Sequence, residues 1–386
     1  MKNIAIIGST GSIGVQALDI VKKHRDRFKI VFLSCHNNIS ELEKQIAKFE
    51  PEYAVITGNF HIDKNFERTK VFYGANELNN LIKNESGRID TVLSAAVGFA
   101  GVLPSYNALL ESTDVALANK ESIVAAGRLM TETAKKTGAS IIPVDSEHSA
   151  IFQCLVDRDK TTDFVEKVIL TASGGPFRYR PADSMGFVSV DEALKHPSWS
   201  MGNKITVDSA TMMNKGLELI EARYLFDLSS DKLDVYIHPQ SIVHSMVSYV
   251  DGSTLAQLGY PDMRTPISYA LNYPKRLNWG AQPLTPDILN GLTFFKPDID
   301  KYKCFKLALE VLHEDKNSLM IVMNASNEIA VDSFLKGYID FVDIYTVISK
   351  VLERFTAKDI KNIDEIILLD KRVRSETATI IKNLRR

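Results

Sequence analysis

Gly8-Ser9-Thr10-Gly11-Ser12-Ile13-Gly14 stands between the β-branched run Asn3–Ile7 and the amphipathic run Ile13–Lys23, and its reading decides the fold. Glycines at a strand-to-helix turn let backbone N–H groups approach a pyrophosphate, and the helix N-terminus adds positive potential. The spacing is G-x-x-G-x-x-G, whereas the usual dinucleotide fingerprint is G-x-G-x-x-G, so the glycines alone suit a plain tight turn equally well. The strand before, the helix after and the N-terminal position together favour a dinucleotide site.

Working outward, Ile30–Ser34, Tyr53–Ile56, Lys70–Tyr73, Thr91–Ala95, Val115–Ala118 and Ser140–Val144 read as further strands, with amphipathic stretches such as Ile39–Phe49 between several of them. That alternation predicts βαβ units and a parallel sheet covered on both faces, an α/β, Rossmann-like domain over residues 1–145. An NAD site usually carries Asp or Glu at the end of the second strand. Here that position holds Ser34-Cys35-His36-Asn37-Asn38, with no carboxylate. A 2′-phosphate would meet polar side chains there, so NADP is the favoured dinucleotide, although the usual Arg or Lys is missing.

The pattern then changes to a central α+β domain over 146–263. Val165–Ala172 is strand-like, and Ser241–Val250 and Ser253–Gly259 flank Asp251-Gly252, a pair that favours a type I′ hairpin. Prolines and weak periodicity over 264–299 suggest a linker. Residues 300–386 read as helical to the end, in about four helices, one carrying the stripe Leu319, Val322, Ala325, Ile329 and Phe334.

Composition narrows the function. Over 386 residues the net charge is −2, which provides no global field for nucleic acid or an anionic membrane. No apolar stretch approaches the ~18 residues of a membrane span, and Ile4–Ile7 is too short for a signal-peptide core. The three cysteines are widely spaced and form neither a zinc pattern nor a disulfide framework. A cytoplasmic protein is expected.

Candidate chemistry lies in the middle. Asp145 and Glu147 follow the strand Ser140–Val144, and residues i and i+2 at a strand end point the same way, as paired oxygen ligands for Mg²⁺ or Mn²⁺ would. Taken alone, the stretch reads better as a helix cap. Thr206–Phe226 reads as one helix with a core stripe at Met213, Leu217, Ile220 and Tyr224, and with Asn214, Lys215 and Glu218 on another face. That second face is either a solvated Lys–Glu pair or a row of polar groups aimed at a charged ligand. Ser173-Gly174-Gly175 could present donors to a phosphate. The segment 196–202, with His196, Trp199 and Met201, suits a lid or a packing surface. A rival dehydrogenase mechanism would need a cysteine nucleophile, but Cys154 sits in the apolar run 150–155 and reads as core.

The motifs GSTGSIG (8–14), LANKES (117–122), PVDSEH (143–148), SGGPFR (173–178), HPSWSMG (196–202), VDSATMMNKGLE (207–218), HPQSIVHSM (238–246) and NASNEIAVDSFL (324–335) occur in this order. Together they closely resemble the deoxyxylulose phosphate reductoisomerase family over essentially the whole chain. The resemblance implies NADPH- and metal-dependent rearrangement and reduction of a sugar phosphate by a homodimer with a dimerisation sheet in its central domain, and it implies that the helices of 300–386 form a helical bundle. It places Thr10, Gly11, Ser12 and Ile13 at the NADPH pyrophosphate, and His36, Asn37 and Asn38 at the adenosine ribose and 2′-phosphate. Asn119, Glu121 and Gly202 would be further cofactor contacts, and Asp145, Glu147 and Glu218 the metal ligands. Ser173, Ser209, Asn214 and Lys215 would grip the phosphate, with His196 beside the substrate. Ser146 and Lys120 would meet the reacting oxygens, and Trp199 would ride on the flap; Lys120, Glu147 and His196 are the expected catalytic residues.

Overall fold

The computed structural model describes residues 1–155, 163–199 and 201–384; Ser200, within the expected lid, lies outside them. The chain forms two compact units. The first comprises Met1–Ser122, Met130–Ser149 and Asp262–Gln282; the second comprises Ile123–Leu129, Ala150–Pro261 and Pro283–Arg386.

The first unit is α/β, as the strand rhythm predicts. Its elements begin β1 (Lys2–Ile7), α1 (Ser12–Lys23), β2 (Phe28–Cys35), α2 (Ile39–Phe49), β3 (Tyr53–Ile56), β4 (Lys70–Tyr73) and α3 (Ala75–Asn84). They continue with β5 (Thr91–Ser94), α4 (Val102–Leu110), β6 (Asp114–Leu117), α5 (Lys120–Thr137), β7 (Ile141–Pro143) and the start of α6 (Ser146–Cys154). The seven strands make one sheet in the order β4-β3-β2-β1-β5-β6-β7, and each neighbouring pair is parallel. Covered on both faces, β1 is a continuous apolar run with Ile4–Ile7 buried. The strand order reverses at β1, so the crevice beyond its carboxyl end is the position where open α/β sheets bind ligands. Residues 8–14 lie there.

The second unit adds β8 (Val165–Ala172), α7 (Val190–Ala193), α8 (Asn203–Ala210), α9 (Met213–Leu225), β9 (Leu233–Ile237), β10 (Val243–Tyr249) and β11 (Thr254–Leu258). Its four-stranded sheet runs β11-β10-β8-β9. β10 is antiparallel to both neighbours, while β8 and β9 are parallel.

Three local readings need correction. The segment 264–299 contains α10 (Arg264–Asn272), which packs on α1, β6 and β7 of the first unit rather than running free. Ile267, Ala270 and Leu271 form its buried face at helical spacing, a signal hidden among the flanking prolines. The expected single helix 206–226 is broken, because Met212 adopts φ 60° and ends α8 before α9 begins. The β10–β11 turn is not type I′, which needs positive φ at both central residues. Only Gly252 has it, at φ 86°. The N–H of Gly252 donates to the Tyr249 carbonyl, and the N–H of Tyr249 to the Ser253 carbonyl, giving a three-residue loop ending in a left-handed glycine.

Beyond α11 (Pro286–Leu289), four helices form the expected bundle: α12 (Lys303–Glu314), α13 (Asn317–Leu335), α14 (Asp343–Leu352) and α15 (Ile363–Leu384). α13 is buried on most of its circumference, because α8, α12, α14 and α15 all pack on it. Within this core Asp208 of α8 receives the Asn327 amide at 2.9 Å and the Lys204 ammonium at 2.7 Å. A buried charge held by two donors ties α8 to the bundle. Among the described residues, no helix is long and apolar enough to cross a membrane.

Candidate active site

The glycine turn is constrained as well as open. Gly8 has φ 79°, and a Cβ there would lie 2.5 Å from the Ala95 carbonyl oxygen. Ser9 is buried, and its hydroxyl donates to Gln45 Oε1 at 2.7 Å, anchoring the turn from below. Gly11 is the N-cap of α1 with no side-chain cap and no acid in the first turn, so the first N–H groups of the helix face outward unclaimed by a side chain. Thr10 and Ile13 are half-buried, Gly11 and Ser12 exposed. At the end of the adjacent β2, His36, Asn37 and Asn38 are exposed. Asn38 caps α2 by accepting from the Glu41 N–H, and His36 Nδ1 lies 3.1 Å from the Thr57 hydroxyl.

Asn119 is more committed than the sequence suggests. As the N-cap of α5 it accepts from the Ser122 N–H at 3.0 Å, and its amide donates to the carbonyls of Ala96 and Gly98 and to Glu121 Oε2. Its side chain braces the loop after β5.

In the same unit, Lys120 opens α5 after β6, and Asp145 follows β7. Because β6 and β7 are neighbours, the two side chains meet, with Lys120 Nζ 2.6 Å from Asp145 Oδ2 and both largely buried. The chain also turns into a helix here: the Asp145 carbonyl accepts the N–H of Ser149, with Ser146 and Glu147 in the first turn of α6. The Ser146 hydroxyl donates to the Glu147 carboxylate.

In the second unit, Glu218 of α9 accepts from both Asn214 and Lys215. Lys215 and Glu218 are 3% and 1% exposed, which excludes the solvated-pair reading of this face. The carboxylates of Asp145, Glu147 and Glu218 are hard oxygen donors of the type Mg²⁺ and Mn²⁺ take. Two of them are held by a lysine, the charge compensation a buried carboxylate requires.

A third cluster joins Ser173, His196 and Ser209. His196 Nε2 lies 3.0 Å from the Ser173 hydroxyl and 3.1 Å from that of Ser209. Gly175 makes this possible, since a Cβ there would come within 2.6 Å of the Ser209 carbonyl oxygen. Arg178, absent from the expected site set, folds back so that its NH1 donates to the Ser173 carbonyl at 3.3 Å. Its place inside the SGGPFR motif was the signal for it. Gly202 is the exposed N-cap of α8, and the half-buried Trp199 ring lies 6.3 Å from the ring of His244.

His244 is 8% exposed, and burial pushes its pKa down to about 4. Its folded-state value is depressed, so its contribution is fully present above about pH 6.5 and is lost as pH falls towards 4. The chain should lose about 3 kcal/mol through this group over that interval. Urea midpoints at pH 7 and pH 4.5 should therefore differ less in His244→Gln than in the wild type, and equal differences would remove His244 as the cause. The cysteines offer no nucleophile: all three are buried, and burial raises the thiols of Cys35 and Cys154 to about 11 and that of Cys304 to about 12.

A doubly wound parallel sheet opening on a glycine turn defines the first unit as a dinucleotide-fold domain of an enzyme, and each unit carries a buried lysine–carboxylate pair, the second also a hydroxyl–imidazole cluster. Family models agree over most of the chain: 1-deoxy-D-xylulose 5-phosphate reductoisomerase matches residues 4–127, its C-terminal domain 141–226, and the DXP reductoisomerase C-terminal domain 258–376. The 1-deoxy-D-xylulose 5-phosphate reductoisomerase of Geotalea uraniireducens is 46% identical, covering 96% of each chain. That of Trichlorobacter lovleyi is 45% identical over 100% of this chain and 98% of its own. A solved DOX-P reductoisomerase in complex with NADPH, fosmidomycin and magnesium superposes with a TM-score of 0.91 at 39% identity, covering 100% of both chains. The Zymomonas mobilis enzyme in complex with NADPH gives 0.90 at 37% identity, covering 98% of this chain and 99% of its own. The chain belongs to the 1-deoxy-D-xylulose 5-phosphate reductoisomerase family.

Proposed function

We propose that this protein converts 1-deoxy-D-xylulose 5-phosphate to 2-C-methyl-D-erythritol 4-phosphate with NADPH and Mg²⁺ or Mn²⁺, in the non-mevalonate route to isoprenoid precursors. The observation that carries this reading is the whole-length likeness to a reductoisomerase in complex with NADPH, fosmidomycin and magnesium. When bound, the metal polarises neighbouring substrate oxygens during the skeletal rearrangement, and NADPH supplies the hydride that reduces the resulting aldehyde.

The chain's own residues divide the remaining work. Thr10, Gly11, Ser12 and Ile13 hold the pyrophosphate at the start of α1, where unclaimed N–H groups favour an anion. The exposed His36, Asn37 and Asn38 receive the adenosine ribose and its 2′-phosphate. Asn119 acts by bracing the loop at Ala96–Gly98 together with Glu121, and Gly202 would be a further cofactor contact. Asp145, Glu147 and Glu218 hold the metal. Ser173, His196, Ser209, Asn214 and Lys215 grip the phosphate, an attachment remote from the reacting carbons whose binding energy orients them. Lys120 holds a proton and a positive charge beside the reacting oxygens, and its tie to Asp145 keeps it aimed there. The Ser146 hydroxyl orients a substrate oxygen, and Trp199 on the lid excludes water.

The enzyme is proposed to work in the cytoplasm as a homodimer. The edge strand β11, whose Leu255 is exposed, supplies an unpaired sheet edge for the second copy. The test follows NADPH absorbance with 1-deoxy-D-xylulose 5-phosphate, with and without Mn²⁺ and a chelator. Metal-dependent oxidation is expected. Oxidation of NADH with equal efficiency would revise the role given to His36–Asn38, and silence with both cofactors and added metal would remove the assignment.

A further inference from the structure

We propose that His196 acts as a neutral imidazole locked with its proton on Nε2 by the backbone amides of Ser198 and Trp199, and that Arg178 supplies the positive charge of this pocket. The inference rests on reading the Ser173–His196–Ser209 cluster as the phosphate end of the site.

The proton follows from donor counting. The N–H groups of Ser198 and Trp199 both point at His196 Nδ1, at 3.2 and 2.9 Å. A backbone N–H can only donate, so Nδ1 is a bare acceptor and the proton of the neutral ring sits on Nε2. Nε2 is the atom shared by the hydroxyls of Ser173 and Ser209. A second proton on Nδ1 would face two amide hydrogens and break both bonds. Burial, followed by the charge of Arg178, opposes that proton as well and lowers the pKa of His196 to about 4. At neutral pH the ring is a fixed N–H donor, not a cation and not a proton shuttle.

The locking amides belong to the same segment that carries Trp199. The loop's backbone conformation therefore sets which imidazole nitrogen bears the proton, and so couples placement of the indole to readiness of the donor.

Charge bookkeeping then points to Arg178. A phosphate dianion needs more than one cation: His196 is neutral, and Lys215, though placed at the phosphate, shares its charge with Glu218. Arg178 forms no ion pair among the described residues, and its Nε is buried with no hydrogen-bond partner among them. Its NH1 bonds only to a neutral carbonyl, that of Ser173, and its guanidinium rests 4.8 Å from the Tyr179 ring centroid. An uncompensated guanidinium beneath the serine loop is worth most when an anion arrives in a partly desolvated pocket.

Two readouts on the full-length protein test this without turnover. With ¹⁵N-labelled histidine, and His196→Gln used to assign the signal, the ring should show the Nε2–H tautomer at pH 7 and titrate well below the ordinary ~6.5. Arg178→Gln should raise that midpoint. An Nδ1–H tautomer, or a midpoint near 6.5, overturns the locked ring. Sulfate, which stays a dianion across this range, serves as the probe of the charge. Its affinity should fall tenfold or more in Arg178→Gln and largely return in Arg178→Lys. Unchanged sulfate affinity in Arg178→Gln assigns the charge elsewhere and sinks that half of the proposal. A chain inactive towards the sugar phosphate yet carrying the locked ring and the Arg178-dependent sulfate site would fail the proposed reaction and keep this inference.

Discussion

Glu218→Gln should lower kcat/KM by about a hundredfold to a thousandfold, the scale associated with losing one pre-organised charge-stabilising group. The carboxylate is nearly fully buried in α9, where it accepts from Lys215 and Asn214. Gln keeps the shape but removes the charge that a divalent cation or Lys215 requires. The same substitution leaves the Lys215 ammonium buried without its counter-charge, at about 3–5 kcal/mol of stability. The two losses separate in the double variant Lys215→Met/Glu218→Gln. Removing both charges should return most of the unfolding midpoint without returning activity. NADPH oxidation at saturating metal, read beside urea unfolding, makes the comparison. A folded Glu218→Gln enzyme with undiminished, metal-dependent turnover would rule Glu218 out as a metal ligand.

Gly8→Ala is the second large effect, and it acts on the dinucleotide. The residue sits at φ 79°, and its missing Cβ would press to 2.5 Å from the Ala95 carbonyl oxygen, a backbone atom that cannot swing away. Accommodation must move the turn or β5, which would displace the N-terminus of α1 from the proposed pyrophosphate site. A shift on the order of 1 Å costs about a hundredfold in a pre-organised site. Fluorescence titration with NADPH should show that loss, and a dissociation constant within twofold of the wild type would mean that the turn does not position the cofactor. The substitution should also reduce stability by about 1–3 kcal/mol, in line with a residue forced into a left-handed conformation.

Much of this was legible in the chain because its causes are local. The strands of the parallel sheet announce themselves as short β-branched runs, and the glycine turn carries its own stereochemistry. Asp145 and Glu147 read as a helix start and as candidate ligands, and the geometry keeps the two compatible: Asp145 precedes α6 while its carboxylate meets Lys120. The break at Met212 had no local marker, since neither Gly nor Pro stands there and the left-handed φ is imposed on a buried side chain. α10 was hidden for a different reason: its apolar face is only three fully buried residues long and lies among prolines.

By itself the sequence determined the βαβ unit, the anion-ready start of α1, the helical character of the C-terminal region and the residue types available for metal and phosphate. Each follows from side-chain period, glycine stereochemistry or hard-ligand chemistry, all written within a few residues of chain. Only the tertiary structure decided that Lys215 and Glu218 are buried rather than solvated, that Asn119 is spent on bracing a loop, and that Arg178 lies beneath Ser173. It also decided which nitrogen of His196 bears the proton. Those outcomes depend on burial and on donors brought together by the fold, and electrostatics in a desolvated interior is set by neighbours in space.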